Sequence, residues 1–208
     1  MNIGVLGTGM VGYAIASKLV ALDHEVMMGS RTPANSKASK WATRAGARGR
    51  NGTFAEAAAF GDVVFNCTHG ASSLAALTAA GAENLNGKVL IDVANVLPPD
   101  DPGPQSLGQQ IQNAFPQTRV VKTLNTVNCE VMVNPQLGSA SHTIFVCGND
   151  AGAKRTARGL LESFGWSDIM DLGDIATARA TESYLPLWLA LWRTLGTAAF
   201  NIKVVRQG

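Results

Sequence analysis

Gly7-Thr8-Gly9-Met10-Val11-Gly12 is the stretch on which the fold of this chain turns. It fits the pattern G-x-G-x-x-G, which by itself is a weak signal. Here it follows a short apolar run, Ile3 to Leu6, that reads as a strand. It opens the segment Met10 to Leu22, whose Ile15, Leu19 and Leu22 fall on one face of a helix. Strand, glycine turn and helix together form the context that dinucleotide binding requires. Gly7 then allows the tight turn, Gly9 lets the backbone approach a pyrophosphate, and Gly12 lets the helix pack closely on the strand. The start of the helix adds free N–H groups and a positive dipole end. The competing reading is a glycine turn of purely structural use.

Outward from that loop, strand-like and helix-like segments alternate. Strands are expected at Glu25 to Gly29, near Ala47 to Arg48, and at Asp62 to Cys67, Lys88 to Val93, Val120 to Leu124, His142 to Cys147 and Ile169 to Leu172. Helices are expected at Ser36 to Ala45, Thr53 to Phe60, Ala71 to Ala80, Ser106 to Ala114, Asp150 to Phe164 and Ala176 to Leu195. Thr53 and Glu56 stand at capping-box spacing, and Asp150 is a fitting N-cap. Leu97 to Gly108 holds Pro98, Pro99, Pro102 and Pro104 and reads as a loop. The alternation predicts an α/β fold: a doubly wound, mostly parallel sheet of Rossmann type over residues 1–148. Residues 149–208 then form a small C-terminal α/β extension of helix, strand and apolar helix.

The chain has 208 residues, 46% of them hydrophobic and 15% charged, so intrinsic disorder is excluded. A net charge of +2 gives no case for nucleic acid. The distribution of charge says more. Between Val26 and Ala55 stand six cations and no acid: Arg31, Lys37, Lys40, Arg44, Arg48 and Arg50. That run is either a solvated helix face or a field that attracts a small polyanion. Cys67, Cys129 and Cys147 form no CxxC and read as reduced thiols, which fits a cytoplasmic protein. No signal-peptide pattern opens the chain, and Pro186 and Arg193 interrupt its most apolar late stretch, so no membrane span is expected. Nothing has metal-ligand spacing, and there is no nucleophile elbow. The last helix is apolar nearly all round. It should therefore be buried in the core or at a subunit interface.

The cofactor can be narrowed. An NAD site places Asp or Glu at the end of the second strand to bond the ribose 2′-OH. Here that end reads Met27-Met28-Gly29-Ser30-Arg31-Thr32. No carboxylate repels a 2′-phosphate. Ser30 and Thr32 offer hydroxyls, and Arg31 offers a planar fork for phosphate oxygens. Lys37 or Lys40 would stand behind as further cations. NADP is expected over NAD.

In a doubly wound sheet, ligands sit beyond the carboxyl ends of the strands. Thr68-His69-Gly70, Asp92-Val93-Ala94-Asn95 and Leu124-Asn125-Thr126 are therefore expected around the nicotinamide. His69 is the histidine placed at such a turn. Hydride transfer between ring cofactors needs no general acid or base, so His69 reads as a contact to cofactor or water and no catalytic residue is assigned.

These segments resemble a known family. Asn2 to Gly12 reads NIGVLGTGMVG, Gly29 to Thr32 GSRT, Val120 to Thr126 VVKTLNT, Ile144 to Asp150 IFVCGND, and Asp171 to Glu182 DLGDIATARATE. Together they resemble the deazaflavin-dependent NADP oxidoreductases, whose fold also serves as the reductase domain of transmembrane ferric reductases. The resemblance implies hydride transfer between NADPH and a deazaflavin, coenzyme F420, as co-substrate. It implies that Thr8, Met10 and Val11 touch phosphate, and that Ser30, Arg31 and Lys37 hold the 2′-phosphate. Thr68, His69 and Gly70 would then flank the nicotinamide on one side, Asn125 and Thr126 on the other. It further implies that the C-terminal segment builds the acceptor pocket and a homodimer contact. Two positions depart from the pattern: the family's turn after the fourth strand has a proline where Gly70 stands, and its turn after the sixth has a histidine near Asn125. The alternatives are reduction of a flavin, a quinone, a carbonyl or imine compound or, through flavin, a metal. A further alternative is an NADPH-binding redox sensor.

Overall fold

The computed structural model describes residues 1–97, 100, 103–138, 141–205 and 207. Pro98, Pro99 and Pro102 of the expected loop lie outside the described residues. The chain runs β1 (Asn2–Leu6), α1 (Met10–Ala21), β2 (Glu25–Ser30), α2 (Ser36–Ala45), β3 (Gly49–Thr53), α3 (Phe54–Phe60), β4 (Val63–Asn66), α4 (Gly70–Ala80) and α5 (Ala82–Leu85). It continues β5 (Val89–Asp92), α6 (Leu107–Ala114), β6 (Arg119–Thr123), α7 (Cys129–Val133), β7 (Thr143–Gly148), α8 (Ala151–Phe164), β8 (Asp168–Asp171), α9 (Ala178–Glu182) and α10 (Leu185–Leu195).

The strands form one sheet in the order β3-β2-β1-β4-β5-β6-β7-β8. All neighbours are parallel except β6 and β7. The order reverses between β1 and β4, so the crevice for a ligand opens beyond their carboxyl ends. Strand residues alternate between two cores, as the pleat demands. Ile3, Val5, Phe65, Ile91 and Val121 face one way and pack with Ile15 and Leu19 of α1 and Leu161 of α8. Leu6, Val64, Leu90 and Val120 face the other way and pack with Ala57, Leu77 and Ile111. Both faces are covered, which is why the inner strands read as continuous apolar runs.

Two expectations need correction. The third strand lies at Gly49–Thr53, one turn beyond the expected place, and residues 46–48 are a 3-10 turn. Its sequence, GRNGT, carries no apolar side chain, because an edge strand is held by its ladder to β2. The expected last helix is broken. Ile175–Thr177 is a 3-10 turn, α9 ends at Glu182, and α10 restarts at Leu185 with a proline in its first turn. None of the residues of α10 is buried, so burial in this chain's own core is overturned.

Candidate dinucleotide site

The glycine loop is built as its spacing required. Gly7 has a φ of +120°, and a Cβ there would lie 2.6 Å from the Cys67 carbonyl oxygen. A Cβ on Gly12 would lie 2.1 Å from the Gly7 carbonyl oxygen, so α1 can rest on the loop only through glycine. Gly9 differs. Its φ is −80°, open to any residue, and a Cβ would meet no atom within 4 Å. The fold does not need glycine at position 9; the empty space over it is a cradle that a side chain would fill.

Helix termini point to the same place. Asn35, Thr53, Ser106, Asn128 and Asp150 cap α2, α3, α6, α7 and α8 with a side-chain oxygen. The starts of α1 at Gly9 and α4 at His69 have no side-chain cap, as is also true of the short or C-terminal helices α5, α9 and α10; those of α1 and α4 face each other across one cleft. The first N–H groups of α1 and the dipole ends of both helices are left for an anion, while at α4 the Gly70 and Ser72 N–H groups already donate to the Asn95 and His69 carbonyls. Between them lies a cleft of about 480 Å³ lined by Gly7, Thr8, Gly9, Ser30, Arg31, Thr68 and His69, with Phe54 and the small side chains of α4. Arg31 is exposed and has no acidic partner among the described residues. Ser30 is buried and donates to the Thr32 carbonyl at 2.6 Å, which fixes the turn that carries Arg31.

The structure separates Met10, Val11, Thr32 and Lys37 from the lining of this cleft. Thr32 is exposed at its rim and contributes its backbone to the turn. Lys37 lines a neighbouring groove together with Met10. Val11, in the first turn of α1, is half-buried against the core.

The other turns are tied to one another. The Gly70 N–H donates to the Asn95 carbonyl at 3.0 Å, and a Cβ on Gly70 would sit 2.4 Å from the Asn95 carbonyl carbon. Proline at position 70 would lose that bond and collide, which accounts for the departure from the family pattern. Asn95 Nδ2 donates to the Asn125 carbonyl at 2.6 Å, and Asn125 Nδ2 donates to Asn95 Oδ1 at 3.1 Å. Leu124, just before, has a φ of +62°. A buried branched residue in that region is strained, by about 1–3 kcal/mol, and such strain gathers at functional sites. The Thr126 hydroxyl is buried with no partner among the described residues, so a donor or acceptor from a ligand would complete it.

Sequence reasoning missed the layer beneath. Thr68 Oγ1 donates to Asn66 Oδ1 at 2.7 Å, and Asn66 Nδ2 donates to Asp92 Oδ1 at 2.8 Å. Asp92 Oδ2 accepts from Lys122 Nζ at 2.8 Å, and Lys122 lies 3.0 Å from Glu182 Oε1. Glu182 in turn accepts from the N–H groups of Leu107 and Gly108 at the start of α6. Burial alone would lower the Lys122 ammonium, but the charges of Asp92 and Glu182 overcome it and hold its pKa above the ordinary lysine value. The signal was a lysine within an apolar strand, Val120 to Thr123. Burial raises the Cys67 thiol far above its usual range, so it stays protonated beside the loop. Among the described residues no cluster could hold a metal, and no helix is long and apolar enough to cross a membrane.

Comparison with known proteins agrees with this geometry. The family model described as NADP oxidoreductase, coenzyme F420-dependent, matches residues 2–96. A crystal structure from Arthrobacter sp. FB24, of a candidate F420-dependent NADP reductase, is 48% identical. It covers 99% of this chain and 100% of its own, with a TM-score of 0.93. The chain belongs to that family. Membership is the ground for the NADP(H)-dependent oxidoreductase reading proposed below. The F420-dependent NADP reductase of Methanocaldococcus jannaschii is 26% identical over 100% of this chain and 96% of its own. Metalloreductase STEAP3 of Rattus norvegicus is 29% identical over 98% of this chain, which spans 40% of that protein's length. The groups around Gly9, Arg31 and Thr126 fit NADP(H): an open cradle, unpaired N–H groups, an unpaired cation and an unpaired hydroxyl.

Proposed function

We propose that this chain transfers hydride between NADP(H) and a deazaflavin of the F420 type. The observation that carries the reading is the open space over Gly9, between two uncapped helix starts, with unpaired Arg31 at one end. The N-terminus of α1 binds the pyrophosphate, and the dipole end of α4 faces it from the other side. Arg31 binds the 2′-phosphate with Ser30, and no carboxylate at the end of β2 opposes it. Thr68, His69 and Gly70 lie along one side of the nicotinamide, and Asn95, Asn125 and Thr126 along the other. The bound cofactor supplies the hydride. The protein orients the two rings and excludes water, and no side chain is required to move a proton.

A homodimer in the cytoplasm accompanies this reading. Leu187, Trp192 and Leu195 on α10 are 55%, 46% and 54% exposed, and Trp188 stacks on Phe200 at 5.4 Å to form one continuous apolar arm. An apolar patch of this kind marks a contact surface. A second copy of the chain is the proposed occupant.

The test is anaerobic oxidation of NADPH with F420, FMN and a quinone side by side, with NADH as control. Rapid reduction of F420 with NADPH and little with NADH is expected. Turnover with FMN or quinone but not F420 would replace the acceptor. Tight NADPH binding without turnover on any of them would favour the sensor.

A further inference from the structure

One ammonium stands behind the three turns that flank the nicotinamide in the reading above. Lys122 Nζ meets three acceptors: Asp92 Oδ2 at 2.8 Å, Glu182 Oε1 at 3.0 Å and the Ala94 carbonyl. Its three N–H groups are thereby all used. Two routes lead from it to the cleft. Along the first, Asp92 Oδ1 accepts from Asn66 Nδ2 at 2.8 Å, and Asn66 Oδ1 accepts from the Thr68 hydroxyl at 2.7 Å, next to His69. The second passes through Ala94 to Asn95. That residue clasps Asn125 with its side chain and takes the Gly70 N–H on its carbonyl. On the far side, Glu182 closes α9 and accepts from the Leu107 and Gly108 N–H groups at 2.7 and 3.1 Å.

Stability alone does not account for this arrangement. An ammonium and two carboxylates are shut away from water, and apolar side chains of the same volume often serve a fold as well or better. What three directed bonds on one nitrogen add is a single arrangement of the groups that hold them. Hydride transfer is where such placement counts. The reacting atoms must stand about 3–3.5 Å apart, and a misplacement of about 1 Å can cost about a hundredfold in rate.

We propose that Lys122 and Glu182 are positioning residues for hydride transfer. They act through other groups, because the Lys122 side chain is 0% exposed and that of Glu182 7%. Glu182 locks the end of α9 and the start of α6 onto Lys122. Lys122 then sets the Asn66–Thr68 and Asn95–Asn125 turns, and with them the nicotinamide ring. Gly9 and Arg31, at the phosphate end, lie outside the network. The network therefore governs where the ring sits and not how tightly the cofactor binds. This rests on the oxidoreductase reading above and adds the residues by which the ring is placed.

The experiment compares two variants of the full chain with wild type. Glu182→Gln keeps the size of the side chain and one acceptor oxygen, whereas Glu182→Ala removes both. Thermal unfolding fixes a working temperature well below the lower Tm. In NADPH oxidation with F420, kcat should fall about tenfold or more in Glu182→Ala and less in Glu182→Gln, with NADP⁺ affinity within about twofold of wild type. A second readout needs no turnover. Proton NMR of bound NADP⁺ should show the nicotinamide lines moved by the substitutions and the adenine lines unmoved. Wild-type kcat in Glu182→Ala overturns the proposal, as do nicotinamide lines that match wild type. A loss of NADP⁺ affinity as large as the loss of kcat also overturns it, since that marks a role in the fold alone. Should Glu182→Ala fail to fold, Glu182→Gln carries the same outcomes. A wild-type protein that does not reduce F420 overturns the function proposed above, and the NADP⁺ lines then decide the positioning role by themselves.

Discussion

The Lys122 ammonium lies 2.8 Å from the Asp92 carboxylate, and both side chains are wholly shut off from solvent. Asp92 reaches the cofactor side through Asn66 and Thr68, and Lys122 reaches the C-terminal side through Glu182. One buried cation thus joins the turn after β4 to the segment that leads into α10. The desolvation penalty of such a group is offset only while every partner is present.

Lys122→Met should leave Asp92 and Glu182 buried and unpaired, at a cost of about 3–5 kcal/mol. For a chain of this size that lowers Tm by roughly 6–20 °C. Adding Glu182→Gln should recover part of the loss, because one uncompensated charge is removed. Thermal unfolding of the single and double variants measures both. A Lys122→Met protein as stable as wild type would show that the ion pair carries no weight.

The same lysine sets a pH limit. Its folded pKa is raised above the unfolded value of about 10.4. The stability it contributes is therefore fully present below pH ~10.4 and lost as pH rises through the higher folded pKa. Lys122→Met should remove that part of the alkaline limb in a profile of Tm against pH. An alkaline limb identical to wild type would exclude Lys122 as its source.

Arg31→Ala should raise the KM for NADPH more than tenfold, because losing a charge-assisted bond costs about 1.5–3 kcal/mol. Any KM for NADH should hardly move. Steady-state kinetics with both cofactors reads the difference, and an unchanged NADPH value would exclude Arg31 from the 2′-phosphate site.

Gly9→Val and Gly12→Val should part company. A Cβ at position 9 meets no protein atom within 4 Å, so that variant should fold and lose NADPH binding. A side chain at position 12 strikes the Gly7 carbonyl, so that variant should lose stability as well. Circular dichroism with cofactor titration separates the two, and normal NADPH binding by Gly9→Val would mean that no pyrophosphate lies over the loop.

Trp192→Arg should shift the chain toward monomer in light scattering after size exclusion, because it places a charge on the exposed apolar arm. A wild-type protein that is already monomeric would exclude the α10 contact.

Much of this was written locally in the sequence. Gly7 to Gly12 announced itself because each glycine answers a steric or ligand need, and the capping box at Thr53 and Glu56 was legible because it spans three residues. The Ser30-Arg31 turn forms at the cleft, where the Ser30 hydroxyl fixes it on the Thr32 carbonyl, and its proposed 2′-phosphate role rests on the missing carboxylate. The network from Thr68 to Glu182 was not, since its members are far apart in the chain and meet only once β4, β5 and β6 pair. The strand at Gly49 to Thr53 was obscure for a related reason: its ladder, and not its side chains, holds it. Lys37 shared a run with Arg31, yet α2 turns it toward a different cavity, a direction that composition cannot give.

The most direct measurement uses NADPH carrying deuterium at the transferable C4 position, mixed anaerobically with oxidised F420 and the protein. Mass spectrometry of the reduced deazaflavin should find the deuterium bound to carbon, with turnover slowed by a primary isotope effect. Deuterium lost to solvent, or F420 left oxidised while NADPH stays bound, would contradict direct hydride transfer across this site.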